Sequence, residues 1–195
     1  MLCPPVSLSK RRGLTIIEVL IAALIGAILV GVLFYILNSG DAINDLSSTK
    51  VAAQSEARRV SDWIARDLRQ AVVWDLANNN PTSVHIKFRP VLGWDIAGNS
   101  YQLDDKYIEY VYDGNVDTLT RNIVDSAGGV LKSWVIKDVV ASPFFTRDGS
   151  GNLIALDNSI GVSKKVVSVI TVTKVSRKGV ASTVSLTAET RIRNE

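Results

Sequence analysis

Residues 14–37 read LTIIEVLIAALIGAILVGVLFYIL, and this stretch decides the fold of the chain. Glu18 is its only charged residue. At ~1.5 Å per residue, a helix over this stretch is long enough to cross a bilayer core of ~30 Å. An ordinary secretory signal has a shorter apolar region, of about 7–15 residues, with a small-residue cleavage site behind it. Residues 14–37 therefore predict a transmembrane helix.

Charged residues on the two sides of this helix predict its orientation. Lys10, Arg11 and Arg12 precede it, whereas Asp41 and Asp45 follow it. Basic residues are enriched on the cytoplasmic side of membrane helices. We therefore expect a single-pass protein with its N-terminus in the cytoplasm and its body outside.

The positive charge of the chain is confined to the segment before the helix. Three of the 22 basic residues lie in residues 1–13, which hold no acid, so the remainder has 19 basic and 19 acidic residues. A neutral body argues against nucleic-acid binding, which needs a basic patch on the folded part. The only cysteine, Cys3, lies in the same segment before the basic cluster. We expect no disulfide framework, no lipid attachment and, with a single histidine, no zinc site.

A second helical pattern follows Asn38-Ser39-Gly40. Arg58, Asp62 and Arg66 form a charged face at i,i+4 spacing, and the run Asn78-Asn79-Asn80-Pro81 ends the pattern. If Gly40 does not interrupt it, residues 14 to about 76 form one helix. The opposite, apolar face consists of Ile43, Leu46, Ala53, Ala57, Val60, Ile64, Leu68 and Ala71.

Beyond Pro81 the apolar residues alternate with polar ones, as in half-buried strands. The predicted strands are residues 84–89, 107–112, 134–140, 164–176 and 180–193, the last two joined by a turn at residues 177–179. On the last strand, one face is expected to carry Val180, Val184, Leu186, Ala188 and Ile192. A helix followed by strands predicts an α+β fold, in which a long N-terminal helix packs on an antiparallel β-sheet head that covers residues 53–71.

The segment Lys10 to Ala22, KRRGLTIIEVLIA, resembles the N-terminal processing motif of type IV prepilins and pseudopilins. The resemblance implies a leader, residues 1–13, that prepilin peptidase cleaves between Gly13 and Leu14, and methylation of the new amine at Leu14. Leu14 takes the place of the usual phenylalanine. It also implies a protein of the bacterial inner membrane, with a transmembrane helix at 14–37, an extracytoplasmic amphipathic helix at 38–76 and a β-rich head at 77–195.

Glu18 needs a functional reason, because a carboxylate in an apolar span costs several kcal/mol unless it is paired. Cleavage after Gly13 creates an ammonium group at Leu14, about one helical turn away. The ammonium of a neighbouring subunit would neutralise Glu18 during lateral packing, which predicts that Glu18 is an assembly charge. The alternative is a signal-anchor helix whose glutamate lies near the lipid headgroups.

The body has a looser resemblance, to J-type minor pseudopilins of type II secretion and W-type minor pilins. The segments that carry it are residues 66–71, 107–112, 119–121 and 191–194. This resemblance implies a minor subunit of a secretion pseudopilus or a type IV pilus, in a tip or initiation complex with other minor and major pilins or pseudopilins. A major pilin and a signal-anchored binding module remain alternatives.

No enzyme, cofactor or small-molecule substrate is expected. His85 lacks the setting of a catalytic triad and is predicted to be an exposed structural residue, and Asp104, Asp105 and Glu109 are predicted to form a charged strand entrance. Asp148, Ser150 and Asn152 are predicted to form a plain turn, with a calcium loop as the alternative. An adhesive patch would need exposed aromatic residues, and the candidates are Trp94, Trp134, Phe144 and Phe145.

Overall fold

The computed structural model describes residues 15–156 and 165–193. A long N-terminal helix is followed by antiparallel sheets, so the predicted α+β fold is confirmed. The chain divides into two units, one ending at Asn44 and the other beginning at Asp45. The elements are α1 (Ile16–Leu68), α2 (Val73–Asn78), β1 (His85–Phe88), β2 (Val91–Asp95), β3 (Ser100–Leu103), β4 (Tyr107–Asp113), β5 (Thr118–Val124), β6 (Val130–Lys137), β7 (Phe144–Arg147), β8 (Leu153–Ala155), β9 (Lys165–Val175) and β10 (Ala181–Arg191).

Helix α1 passes through Gly40 without a break, but it ends at Leu68, and the predicted end near residue 76 is wrong. The cause is a contact with the distant C-terminal segment. Val72 adopts an extended conformation and forms a parallel bridge with Arg193. The N–H of Val73 donates to the carbonyl of Arg193 at 3.1 Å, and the N–H of Arg193 donates to the carbonyl of Ala71 at 3.3 Å. This pairing interrupts the helix, and α2 starts directly after it.

The head contains two four-stranded sheets and a separate hairpin. The strand orders are β1-β4-β5-β6 and β10-β9-β7-β8, and β2 pairs with β3. The longest ladder joins β9 to β10, as predicted, and Gly179 closes their turn with a φ of 78°. Strand β6 begins before the predicted Trp134 and ends at Lys137, because Asp138 takes a φ of 65° that turns the chain.

The apolar stripe of α1 packs against both four-stranded sheets. This confirms the prediction that the sheet head covers the apolar face of residues 53–71. Ile43 and Leu46, by contrast, are 68% and 42% exposed. On the inner face of β10, Val184 and Leu186 pack on the core as predicted, but Val180 is exposed. The helical and bridging residues of the core are Ala53, Ala57, Val60, Ile64, Leu68 and Ala71, and their main partners in the sheets are Ile86, Phe88, Tyr110, Leu119, Phe144, Val166, Ile170 and Val172.

Candidate functional site

Thr15 and Glu18 close the N-terminus of α1. One carboxylate oxygen of Glu18, Oε2, accepts the backbone N–H of Thr15 at 2.8 Å and its hydroxyl at 3.0 Å. The N–H of Glu18 donates in return to the Thr15 hydroxyl at 3.3 Å. This reciprocal arrangement is a capping box, and it satisfies backbone donors that have no partner within the helix. The spacing Thr-x-x-Glu was visible in the sequence, but the sequence reading missed it.

The apolar part of α1 is suited to lipid. Its most apolar window has a mean hydropathy of 2.9, and none of that window is buried in the protein. The helix is long and apolar enough to cross a membrane. Gly26 and Gly31 have open space where a side chain would begin, so no described residue packs against these two positions.

The residues predicted to form the processing site fall on both sides of the boundary of the described structure. Glu18 lies inside it, in the first turn of α1. Lys10, Arg11, Arg12, Gly13 and Leu14 lie outside the described residues. The cleavage between Gly13 and Leu14 and the methylation of Leu14 therefore stay predictions.

In the body, Asp67 of α1 connects two strands of the first sheet. Its Oδ2 atom accepts hydrogen bonds from the hydroxyl of Tyr110 and from Nε of Arg121, both at 2.7 Å. Asp67 is 6% exposed and Tyr110 is fully buried. Burial raises the pKa of Tyr110 above its ordinary value, and the charge of Asp67 adds to this effect. Residues 66–71, 107–112 and 119–121, three of the four segments singled out in the sequence, thus each contribute one side chain to this network.

A second buried carboxylate holds α2 against the first sheet. Asp75 is 2% exposed, and its Oδ1 atom accepts Nε and Nη2 of Arg89 at 2.9 and 2.7 Å. Its Oδ2 atom accepts the backbone N–H of Arg89 at 2.7 Å. The guanidinium also lies 5.8 Å from the ring of Trp74. Removing Arg89 would leave the buried carboxylate of Asp75 without its charged partner, whereas the guanidinium of Arg89 is 31% exposed.

A cavity of about 220 Å³ opens beside the Asp67 network. It is lined by Trp63, Arg66 and Asp67 of α1, by Arg121 of β5 and by Trp134 of β6. The guanidinium of Arg121 stacks on the ring of Trp134 at 4.9 Å. The sequence did not predict this pocket, because its walls come from three separate segments.

His85 is half-buried, so its predicted exposure is wrong. Its Nε2 atom lies 3.0 Å from Oε1 of Glu109 on the neighbouring strand. The amide of Asn122 donates to the other oxygen of Glu109 at 3.3 Å. Glu109 therefore belongs to a cross-strand polar row and not to a strand entrance shared with Asp104 and Asp105.

Residues 148–152 form a hydrogen-bonded turn. Oδ1 of Asp148 accepts the N–H groups of Ser150 and Asn152, and Oδ2 accepts the amide of Asn152. The backbone hydrogen bond from Asn152 is the main cause that lowers the pKa of Asp148. Among the described residues, no group of three or more His, Cys, Asp or Glu side chains could hold a metal ion. The predicted turn is thus present at residues 148–152, and the calcium alternative stays a prediction.

Of the four aromatic candidates for an adhesive patch, Phe144 and Phe145 lie on β7, Trp94 lies on β2 and Trp134 lies on β6. Phe144 is fully buried and contacts Tyr110 edge to face at 6.1 Å between ring centroids. Trp94 of β2 packs on Tyr101 at 4.9 Å, and Trp134 lines the cavity. These residues form no single patch.

Comparison with known proteins concerns the N-terminal segment. The family model for the prokaryotic N-terminal methylation motif matches residues 8–34. The match indicates a type IV pilin-like protein. No curated protein and no solved structure matches the chain. Type IV pilin-like proteins that carry this motif are structural subunits and not enzymes. The motif implies that prepilin peptidase processes the chain and that the chain assembles with other pilins. It also implies a membrane anchor.

Proposed function

We propose that this type IV pilin-like protein is a minor pilin or pseudopilin of a type IV pilus or a type II secretion pseudopilus. The observation that carries the proposal is the methylation motif at residues 8–34, which runs directly into a helix long enough to span a membrane. Prepilin peptidase cleaves between Gly13 and Leu14 and methylates Leu14. The mature chain is held in the bacterial inner membrane with its body outside.

Glu18 acts as the assembly charge in this proposal. Its Oε2 atom caps the helix through Thr15, but Oε1 makes no hydrogen bond with a described residue. One oxygen is therefore available to the ammonium group of a neighbouring subunit while the capping box persists. Because unpaired charge in lipid is unfavourable, this pairing would favour transfer of the subunit from the membrane into a filament.

The proposal that the protein is a minor subunit is based on the part of the chain that follows the transmembrane segment. The segments that resemble J-type and W-type proteins supply Asp67, Tyr110 and Arg121 to one buried network, and Arg193 binds the carbonyl of Arg69 through Nε at 3.1 Å. This network supports a role for those segments in shaping the head. Tip subunits are needed in few copies and contact several different neighbours.

Co-purification and abundance test the minor role. Full-length protein, extracted in detergent from cells that make the complete filament system, should co-purify with other minor subunits in a defined stoichiometry. Whole-cell quantitative mass spectrometry should find it far below the major subunit. If it is the most abundant pilin and binds none of the minor subunits, it is a major pilin and the minor role is wrong.

A further inference from the structure

The cavity beside Asp67 has the size and the walls of a site for one side chain. Its volume of about 220 Å³ is below the roughly 300–1,000 Å³ of typical small-molecule pockets. Two indole rings, Trp63 and Trp134, and two guanidinium groups, Arg66 and Arg121, surround it. Tryptophan and arginine are the residues that most often dominate the energy of protein–protein interfaces.

The charges of the pocket favour an acidic occupant. Arg121 is neutralised in part by Asp67. Arg66 is exposed and forms no ion pair with a described residue. A third guanidinium, that of Arg59, lies 5.3 Å from the ring of Trp63, but it is paired with Glu56, so the excess positive charge comes from Arg66. The pocket therefore has an excess of positive charge, although the body as a whole is neutral.

Strand β6 adds an unpaired sheet edge next to the pocket. It is the last strand in the order β1-β4-β5-β6, and no described residue pairs with its outer side. Leu131 and Val135 are 51% and 58% exposed, and Lys132 and Lys137 are exposed as well. An exposed edge of this kind is a template for another strand. Because Trp134 belongs to both β6 and the pocket, a strand added along β6 would pass beside the pocket.

We propose that β6 and this pocket form one docking site for an extended acidic segment of a neighbouring pilin-like subunit. The segment adds as a strand to β6 through main-chain hydrogen bonds. One of its Glu or Asp side chains enters the pocket, where its stem contacts Trp63 and Trp134 and its carboxylate accepts hydrogen bonds from Arg66 and Arg121. Main-chain pairing supplies affinity and the pocket supplies specificity, as in other strand-addition complexes. The identity of the partner rests on the proposed function, whereas the chemistry of the site does not.

The test uses full-length protein in detergent micelles and a fluorescein-labelled peptide of sequence Thr-Val-Glu-Val-Glu-Val-Thr with blocked ends. Fluorescence anisotropy measures binding, and empty micelles set the baseline. The acidic peptide should bind at least tenfold more tightly than the same peptide with Gln in place of Glu, because charge-assisted hydrogen bonds are the stronger kind. Equal binding of the two peptides would overturn the proposal.

Two protein variants separate the pocket from general electrostatics. Arg66→Gln should weaken binding at least tenfold, and it should fold normally because Arg66 is exposed. Arg58→Gln removes the same charge from an exposed position on α1 outside the pocket and should bind like the unaltered protein. If the two variants weaken binding equally, the acidic peptide is held by overall charge and the pocket is not its site.

Peptide methylation tests the strand addition itself. Two versions of the acidic peptide carry N-methyl groups on alternate residues, in opposite frames. A strand that pairs with β6 uses only one of its two edges, so one frame should lose at least tenfold in binding and the other should not. Equal binding of both frames would show that no strand is added.

The remaining outcomes distinguish this inference from the proposed function. Processing at Leu14 without peptide binding would contradict the docking site but would not contradict the pilin role. Peptide binding by a chain that is not processed would support the docking site and contradict the pilin role. Dimerisation of the peptide-free protein that Arg66→Gln abolishes would identify a second copy as the occupant, and it would overturn the assignment to a different subunit.

Discussion

Glu18 has two separable roles at the first turn of α1. As a hydrogen-bond acceptor it caps the helix through Thr15, and as a charge it is available to a neighbouring ammonium group. Glutamine at this position would still accept the hydrogen bond but would carry no charge. Alanine would lose both properties, so the two substitutions separate capping from assembly.

We expect Glu18→Gln and Glu18→Ala to be processed and inserted in the membrane, but to enter filaments poorly, because both lack the pairing charge. Immunoblots of sheared filaments against membrane fractions measure this ratio. Thr15→Ala, which disrupts the capping box and keeps the charge, is the control. Normal assembly of Glu18→Gln together with failure of Glu18→Ala would mean that capping, and not charge, is what assembly requires.

Loss of Asp67 should destabilise the head, because its carboxylate is buried and accepts two hydrogen bonds from different strands. Asp67→Ala leaves Arg121 and the Tyr110 hydroxyl without their shared acceptor, which should cost about 3–5 kcal/mol in the free energy of unfolding. Asp62→Ala, on the exposed face of the same helix, should change it by about 0.5 kcal/mol or less. Thermal unfolding followed by circular dichroism compares them, and equal melting temperatures would contradict the structural role.

Tyr110 predicts how stability depends on alkaline pH. Burial raises its pKa in the folded state, so above the ordinary tyrosine pKa of about 10 the unfolded chain releases a proton that the folded chain keeps. The stability that depends on neutral Tyr110 is therefore present below pH 10 and is lost above it, by about 1.4 kcal/mol per pH unit. Chemical denaturation at several alkaline pH values should show a smaller loss for Tyr110→Phe. Parallel curves for the two proteins would contradict the assignment.

Two alanines of α1, Ala53 and Ala57, belong to the core between the helix and the sheets. Ala53 and Ala57 are completely buried, so larger side chains have no room there. Ala57→Leu should destabilise the protein by about 1–3 kcal/mol through overpacking. Ala52→Leu, on the exposed side of the same turn, should be close to neutral. Urea denaturation measures both, and a neutral Ala57→Leu would mean that helix and sheet are more loosely packed there.

Three of the strands that the sequence missed, β2, β5 and β8, have a physical reason for lacking a clear alternation. Strand β5 places Arg121 on its inner side, opposite Tyr110, because Asp67 neutralises the guanidinium there. A charged residue at an inward position conceals the alternation. Strand β2 contains Gly93 and an irregular register, and β8 spans only Leu153–Ala155.

The end of α1 could not be predicted locally either. The pattern of apolar residues continues through Leu68 to Ala71, but the bridge from Arg193 pulls Val72 into an extended conformation. That contact joins segments far apart in the sequence. Periodicity records only which face of a segment is buried, and it carries no information about a distant partner.

For the whole molecule, the N-terminal motif could be recognised from sequence because its residues are contiguous. The proposed docking site could not be recognised from sequence, because α1, β5 and β6 each contribute part of it. The capping box of Thr15 and Glu18 is an intermediate case: its spacing is local, but the reciprocal hydrogen bonds form only once the helix has formed.

Processing itself can be probed at Gly13. Gly13→Ala should still be cut to some extent, whereas a bulky residue such as Gly13→Leu should block cleavage and leave the leader attached. Membrane fractions from cells with active prepilin peptidase, separated on gels that resolve the loss of 13 residues, compare the two variants. Complete cleavage of Gly13→Leu would contradict a cut at this position.

The mass of the mature N-terminus tests directly whether the chain is processed as a pilin subunit. Full-length protein is extracted from membranes of cells that contain an active prepilin peptidase, and its intact mass and N-terminal peptide are measured. We expect a chain of residues 14–195 that begins with Leu14 and carries one additional methyl group on its α-amine. A chain that still begins at Met1 or Leu2 in those cells would contradict the assignment as a pilin subunit.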